Sequence, residues 1–216
     1  MYGWQIIISW FVLFFPIFYV PLRNFDLPMK IIGYWCFFMI FICIFEFLVP
    51  FNFDTICEKG NYYYENDKNY WIEDDKKFSD LLTSKMYMNV YSDYSLSDCK
   101  YRKGLNDSGF RIVMLGEIIH GILTFIFTCI VLYGMYFGMN KNKLNLHILI
   151  LGIIQLTMII WYQSTVIWDM CIESSDNCCN NPKWYWQQQG WNVPWFIFPP
   201  YLIYYGYTNL LPLFSN

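Results

Sequence analysis

Glu46, Glu117 and His120 are ionisable side chains set inside long hydrophobic stretches of this 216-residue chain. An ionisable group at membrane depth costs several kcal/mol unless it is paired or faces a cavity, so each marks a candidate functional site. Glu46 lies about four residues inside the exit of one apolar segment, and Glu117 about six residues inside the entry of the next. On consecutive antiparallel helices both carboxylates fall roughly 6–9 Å below the same face. His120 follows Glu117 by three positions, on the same helical face and one turn deeper. Asp169 ends a later apolar segment at that face as well.

Such a group of residues has three uses. Two carboxylates and a histidine in a dry pocket can shuttle a proton or stabilise a cation, because low dielectric strengthens their electrostatics. A Glu with a Glu-x-x-His also makes half of a di-iron bundle site. The second half is absent, and no metal is assigned. Alternatively, a buried Glu117–His120 or Glu46–tyrosine hydrogen bond serves only to fix helix register.

The elements that must position these groups are five apolar segments, at 4–20, 31–49, 112–137, 144–168 and 191–214. Each approaches the ~20 residues that cross ~30 Å of hydrocarbon as a helix. In lipid a helix satisfies its own backbone donors and acceptors, which leaves no other structure for single spans. The expected fold is therefore an all-α membrane protein of five transmembrane helices in one domain, 1–216, with a long polar loop at 51–110 between the second and third. Pro21 and Pro50 are expected to close the first two spans, and Pro199-Pro200 to kink or break the last. The N-terminal stretch has neither a basic leading region nor a small-residue cleavage site, so it reads as a span. Within the loop, Phe78, Leu81, Leu82, Met86 and Val90 recur at helical spacing. They predict a short amphipathic helix on the membrane surface, over the bundle mouth or against neighbouring loops. Tyr62, Tyr63, Tyr64, Tyr70 and Trp71, with Trp184, Tyr185 and Trp186, read as interfacial belts.

Hydrophobic residues make up 56% of the chain and charged residues 14%, which excludes an ordinary soluble domain. A net charge of -3 without a basic patch excludes nucleic acid as a partner. The short turns hold Arg23, Lys30, Lys141 and Lys143, whereas the long loop is acidic. The positive-inside rule places the short turns in the cytosol or a mitochondrial matrix, and the loop in a lumen or intermembrane space. Cys57, Cys99, Cys171, Cys178 and Cys179 lie on the acidic side and are disulfide candidates; zinc is the rival reading. Asn106-Asp107-Ser108 is a glycosylation sequon on the same side. Cys36, Cys43 and Cys129 fall within spans and read as buried hydrophobes. There is no alanine, and Phe, Tyr and Trp number 20, 19 and 10, a composition that fits an AT-rich nuclear or organellar gene.

In order along the chain stand Glu46, a long polar loop, Glu117, a short basic turn at 140–143, Gly152 with Gln155, and an aromatic last segment with Pro212. From Ile31 to Phe214 this order resembles the emopamil-binding protein and sigma-2 receptor superfamily, whose shared membrane domain is called EXPERA. Five spans match its sterol isomerase branch. The resemblance implies a pocket opening between helices that binds sterols or amphipathic cationic amines. It also implies that Glu46 and Glu117 help protonate a sterol double bond and stabilise the resulting cation. The implied ligand-binding set is Glu46, Glu117, His120, Gln155 and Tyr204, and the catalytic candidates are Glu46, Glu117 and His120. The isomerase pattern H-x-x-x-E in the second span has Ile42 at its first position here, and His120 stands where a threonine is usual. Tyr204, Tyr205 or Thr208 would replace the last-helix Asn and Trp of the family pocket. These departures, with the composition, favour a non-catalytic accessory subunit of a larger assembly in the mitochondrial inner membrane. The alternative is a sterol Δ8–Δ7 isomerase-like enzyme or sterol-binding protein of the endoplasmic reticulum. No cofactor is expected beyond bound lipid or sterol, and the expected partners are membrane lipids and other membrane subunits.

Overall fold

A computed structural model describes residues 2–72, 77–96, 100–103, 108–172 and 182–213, and every structural statement below concerns these. They are helical throughout, without strands: α1 (Gly3–Leu22), α2 (Leu27–Glu46), α3 (Phe53–Glu65), α4 (Ser84–Tyr94), α5 (Lys100–Lys103), α6 (Ser108–Phe137), α7 (Lys141–Ile172) and α8 (Pro182–Leu210). Among them, Leu27–Glu46, Met114–Phe137 and Lys141–Ser164 are long and apolar enough to cross a membrane, and Val12–Leu22 is a shorter apolar stretch.

The short turns end their helices by local chemistry. Asp26 caps α2 by accepting from the Met29 N–H at 3.0 Å, and Pro28 occupies the first turn, where its missing N–H costs nothing. Between α6 and α7, Gly138 takes φ +77°, and Met139 N–H reaches back to the Gly134 carbonyl at 3.1 Å. This left-handed glycine closure satisfies a carbonyl that the helix end would strand. Asn140 then caps α7 through the Asn142 and Lys143 N–H groups. Phe25 meets Tyr136 edge-on at 5.5 Å, which puts both short turns at one end of the bundle.

Packing centres on Trp35 of α2. Its Nε1–H donates to Gln155 Oε1 of α7 at 2.9 Å, its ring stacks on Phe198 of α8 at 4.4 Å, and Trp195 meets its edge at 5.6 Å. One side chain thereby ties three helices. α7 and α8 share the most extensive contact, close enough that a Cβ on Gly206 would stand 2.8 Å from the Asn145 carbonyl oxygen. Small residues allow such backbone approach where lipid supplies no hydrophobic drive between helices. α1 packs on α2 through Phe14 and Phe18 against Phe37 and Phe41.

Several expectations are corrected. Pro21 lies inside α1 and does not close it, and α8 runs helically through Pro194, Pro199 and Pro200 with no break. Proline deletes one backbone hydrogen bond, and close packing such as that of α8 on α7 can hold the helix across the gap. α8 also starts nine residues earlier than the expected 191, and α2 ends at Glu46, three residues short of 49. The long polar loop expected at 51–110 is largely helical among its described residues. It holds α3, α4 and α5, with a 3₁₀ turn at Phe78–Leu82 that Thr83 separates from α4. Tyr63 and Tyr70 are fully buried in this layer and are not interfacial, although Tyr62 and Tyr64 are exposed. Asp93 holds it together by accepting from the Tyr70 N–H at 2.9 Å.

Candidate functional site

The helices bring Glu46, Glu117 and His120 together. One ligand-competent atom from each lies within 4.8 Å of the other two. Glu46 is the last residue of α2, whereas Glu117 and His120 share a face of α6. Glu46 is 8% exposed and His120 5%, so both leave water almost entirely. A Cβ on Gly121 would stand 3.3 Å from Glu46 Oε2, so the carboxylate lies close against the α6 backbone. Tyr101 of α5 donates its hydroxyl to Glu117 Oε1 at 3.3 Å. Glu46 Oε2 and His120 Nε2 are buried without a hydrogen-bond partner.

These three groups line a cavity of about 310 Å³ between α2, α6, α7 and α8. Its walls are otherwise largely apolar and aromatic: Phe38, Phe41, Ile42 and Phe45 of α2, Met158, Ile159 and Tyr162 of α7, and Pro194 and Trp195 of α8. Asn192 adds an amide. Among the described residues, no lysine or arginine stands in the wall.

α4 forms the roof. Tyr87, Tyr91 and Tyr94 follow at intervals of four and three, so one helical stripe faces the cavity. Tyr87 stacks on Phe45 at 4.7 Å, and the Tyr94 hydroxyl donates to Asn192 Oδ1 at 3.3 Å, fastening the roof to α2 and α8. Burial is the first cause holding all three phenols above the usual tyrosine range, with Tyr87 next for Tyr91. For Tyr87 the next cause is Glu46, and a hydrogen bond with Tyr91 opposes the rise; for Tyr94 it is Glu117. The roof therefore presents neutral hydroxyls, able to donate, over an acidic floor. Of the residues expected to form one amphipathic helix, Met86 and Val90 are buried on α4 over the cavity, whereas Phe78 is exposed in the separate 3₁₀ turn.

Other expected site residues fall elsewhere. Gln155 is fully buried but outside this wall, because its amide oxygen serves Trp35. Tyr204 is 67% exposed on the outer side of α8, and its carbonyl accepts from the Thr208 hydroxyl. Tyr205 does not line the cavity either. Both helices turn these positions away from the cavity, so they are not ligand contacts there. Asn192 and Trp195, three apart on α8, line the cavity and were not among the expected site residues. α8 starts at Pro182, so both residues sit well inside the helix. The tyrosine roof carried a readable signal in its 87, 91, 94 spacing.

Cys57 carries a free thiol whose Sγ lies 3.0 Å from the Arg102 carbonyl, and no disulfide occurs among the described residues. Cys99, Cys178, Cys179 and Asn106 lie outside the described residues, as do the side chains of Cys171 and Asp169. Cys36 and Cys43 are buried in the bundle as expected, and Cys129 is half-buried. No family model, curated protein or solved structure matches this chain.

Proposed function

We propose that the chain is a membrane-embedded binding protein for a sterol-like or other apolar amphiphile, built on an EXPERA-type bundle. The observation that carries this reading is the cavity itself: an aromatic chamber whose acidic and imidazole groups gather at one place. An apolar body would fill the aromatic walls, and a polar end would meet Glu46, Glu117 and His120. A concave, mostly apolar site with a few convergent polar groups is the usual form of a small-molecule pocket. Asn192 and Trp195 add an amide and an indole to the wall, where Ile42 stands at the position of the resemblance's second-span histidine. With that histidine replaced, binding is favoured over isomerisation. α1 and α8 would complete five spans around the three apolar helices.

The test is saturable binding of a tritiated sterol and of a sterol-sized amine to the protein in nanodiscs. Val90→Trp projects an indole into the cavity from the roof. It should weaken binding by about tenfold or more while leaving the melting temperature close to wild type. Failure of the wild type to saturate, or an unchanged affinity in Val90→Trp, would reject the reading.

A second reading is the accessory subunit, in a mitochondrial or other membrane. Its support is the outer face of α1, where Val12, Phe15, Ile17 and Val20 are exposed and a partner helix could replace lipid. Native-mass analysis from the source membrane separates the two: co-migration with a large assembly supports the subunit, and a monomer carrying an apolar small molecule supports the binder.

A further inference from the structure

We propose that Glu46, Glu117 and His120 form a site for one divalent transition-metal ion, Zn²⁺ in the first instance, with an open coordination position facing the cavity. Charge is the first argument. The Glu46 carboxylate is buried in a largely apolar wall that, among the described residues, holds no lysine or arginine. Buried charges are paired or coordinate metals, because an isolated carboxylate is too costly to desolvate. Zn²⁺ with two carboxylates and a neutral imidazole sums to zero charge.

Geometry is the second. Zinc bonds run about 2.0–2.2 Å, which sets tetrahedral ligand atoms roughly 3.4 Å apart. The three atoms here lie within 4.8 Å of one another, so small rotations of two glutamate side chains and one ring close the set. Glu46 supplies one ligand from the end of α2, while Glu117 and His120 supply two from a single α6 face, a chelating pair fixed by the helix.

Unsatisfied atoms are the third. Glu46 Oε2 and His120 Nε2 are buried without hydrogen-bond partners, and both groups line the cavity. A buried polar atom left without a partner is costly unless something occupies it. A metal ion would satisfy both at once. The Tyr101 hydroxyl on Glu117 Oε1 is the kind of outer contact that orients a ligating carboxylate. Three protein ligands leave a fourth position open, as catalytic and ligand-binding zinc sites do. An alcohol oxygen on an apolar molecule could take it. Only this last step rests on the reading of the cavity as an amphiphile site; the ion itself does not. A resident ion also removes any proton from the three groups, which separates a binding site from an isomerase.

The test uses tag-free protein purified in detergent, with metal content measured directly and Co²⁺ then titrated into chelator-treated protein. One equivalent of bound metal and the visible bands of tetrahedral Co²⁺ are expected. Glu46→Gln and His120→Ala should each reduce Co²⁺ affinity by about tenfold or more, the scale of a lost ligand contact. His147→Ala, at the chain's other histidine, should leave the spectrum unchanged. If the variants misfold, the wild-type titration still decides. Folded wild-type protein that takes up no Co²⁺, or a spectrum that His147→Ala alone abolishes, overturns the proposal. Amphiphile binding measured on the same preparations separates the two ideas, since metal uptake without it removes the cavity reading and leaves the ion site standing.

Discussion

Replacing Trp35 by Phe tests the joint on which the bundle's core depends. The indole Nε1–H donates to Gln155 Oε1 at 2.9 Å in a buried setting, and Gln155 Nε2 already lacks a partner. Trp35→Phe leaves a ring to stack where the indole meets Phe198 but strands the amide oxygen as well, a penalty of about 1–3 kcal/mol. The smaller ring adds about 1 kcal/mol for the unfilled volume. A destabilisation of about 2–4 kcal/mol follows, or a fall in melting temperature of roughly 4–16 °C for a chain of this size. Gln155→Leu strands the indole N–H in the same way. The double variant removes both polar partners, so its cost should fall short of the sum of the singles by about 1–3 kcal/mol. Circular dichroism during denaturant titration in mixed micelles measures all four species. Additive single effects would refute the claim that this hydrogen bond couples α2 to α7.

Gly206→Leu should cost about 1–3 kcal/mol, because a Cβ there already stands 2.8 Å from the Asn145 carbonyl oxygen and Leu149 N; thermal unfolding in detergent checks it. Cys57 should alkylate with a pH midpoint above the ordinary thiol value of about 8.5, since burial first, and then Asp54 and Glu58, favour its neutral form against opposition from Asn61 and Arg102. A folded thiol raised in this way adds stability below about pH 8.5 and loses it as pH rises through the folded value, so denaturation should bring the midpoint back down. Labelling of Cys57 and Lys141 by impermeant reagents should come from opposite sides of a sealed vesicle; access to both from one side removes the five-span proposal.

The apolar helices Leu27–Glu46, Met114–Phe137 and Lys141–Ser164 were legible because long charge-poor stretches are distinctive in sequence. The convergence of Glu46 with Glu117 and His120 within 4.8 Å was anticipated by their positions near the facing ends of consecutive apolar segments and by the i, i+3 spacing of Glu117 and His120. What was not legible depended on packing. Pro21 read as a helix end and Pro199-Pro200 as a kink or break by local propensity, yet Pro21 lies inside α1, which ends at Leu22, and α8 runs through Pro199 and Pro200. Gln155 read as a pocket residue, but only the fold shows that Trp35 claims its oxygen. Tyr63 and Tyr70 share a composition with interfacial belts, and burial by α4 and its neighbours distinguishes them.

The central claim is that a small apolar molecule occupies the chamber under the tyrosine roof. Photo-crosslinking with a diazirine-bearing sterol in native-like membrane, followed by peptide mapping, tests it directly. The account predicts adducts on the α4 peptide carrying Tyr87 and Tyr91 and on the α8 peptide carrying Trp195, lost when unlabelled sterol competes. Adducts confined to the outward residues of α1, such as Val12 and Ile17, and insensitive to competition would contradict it.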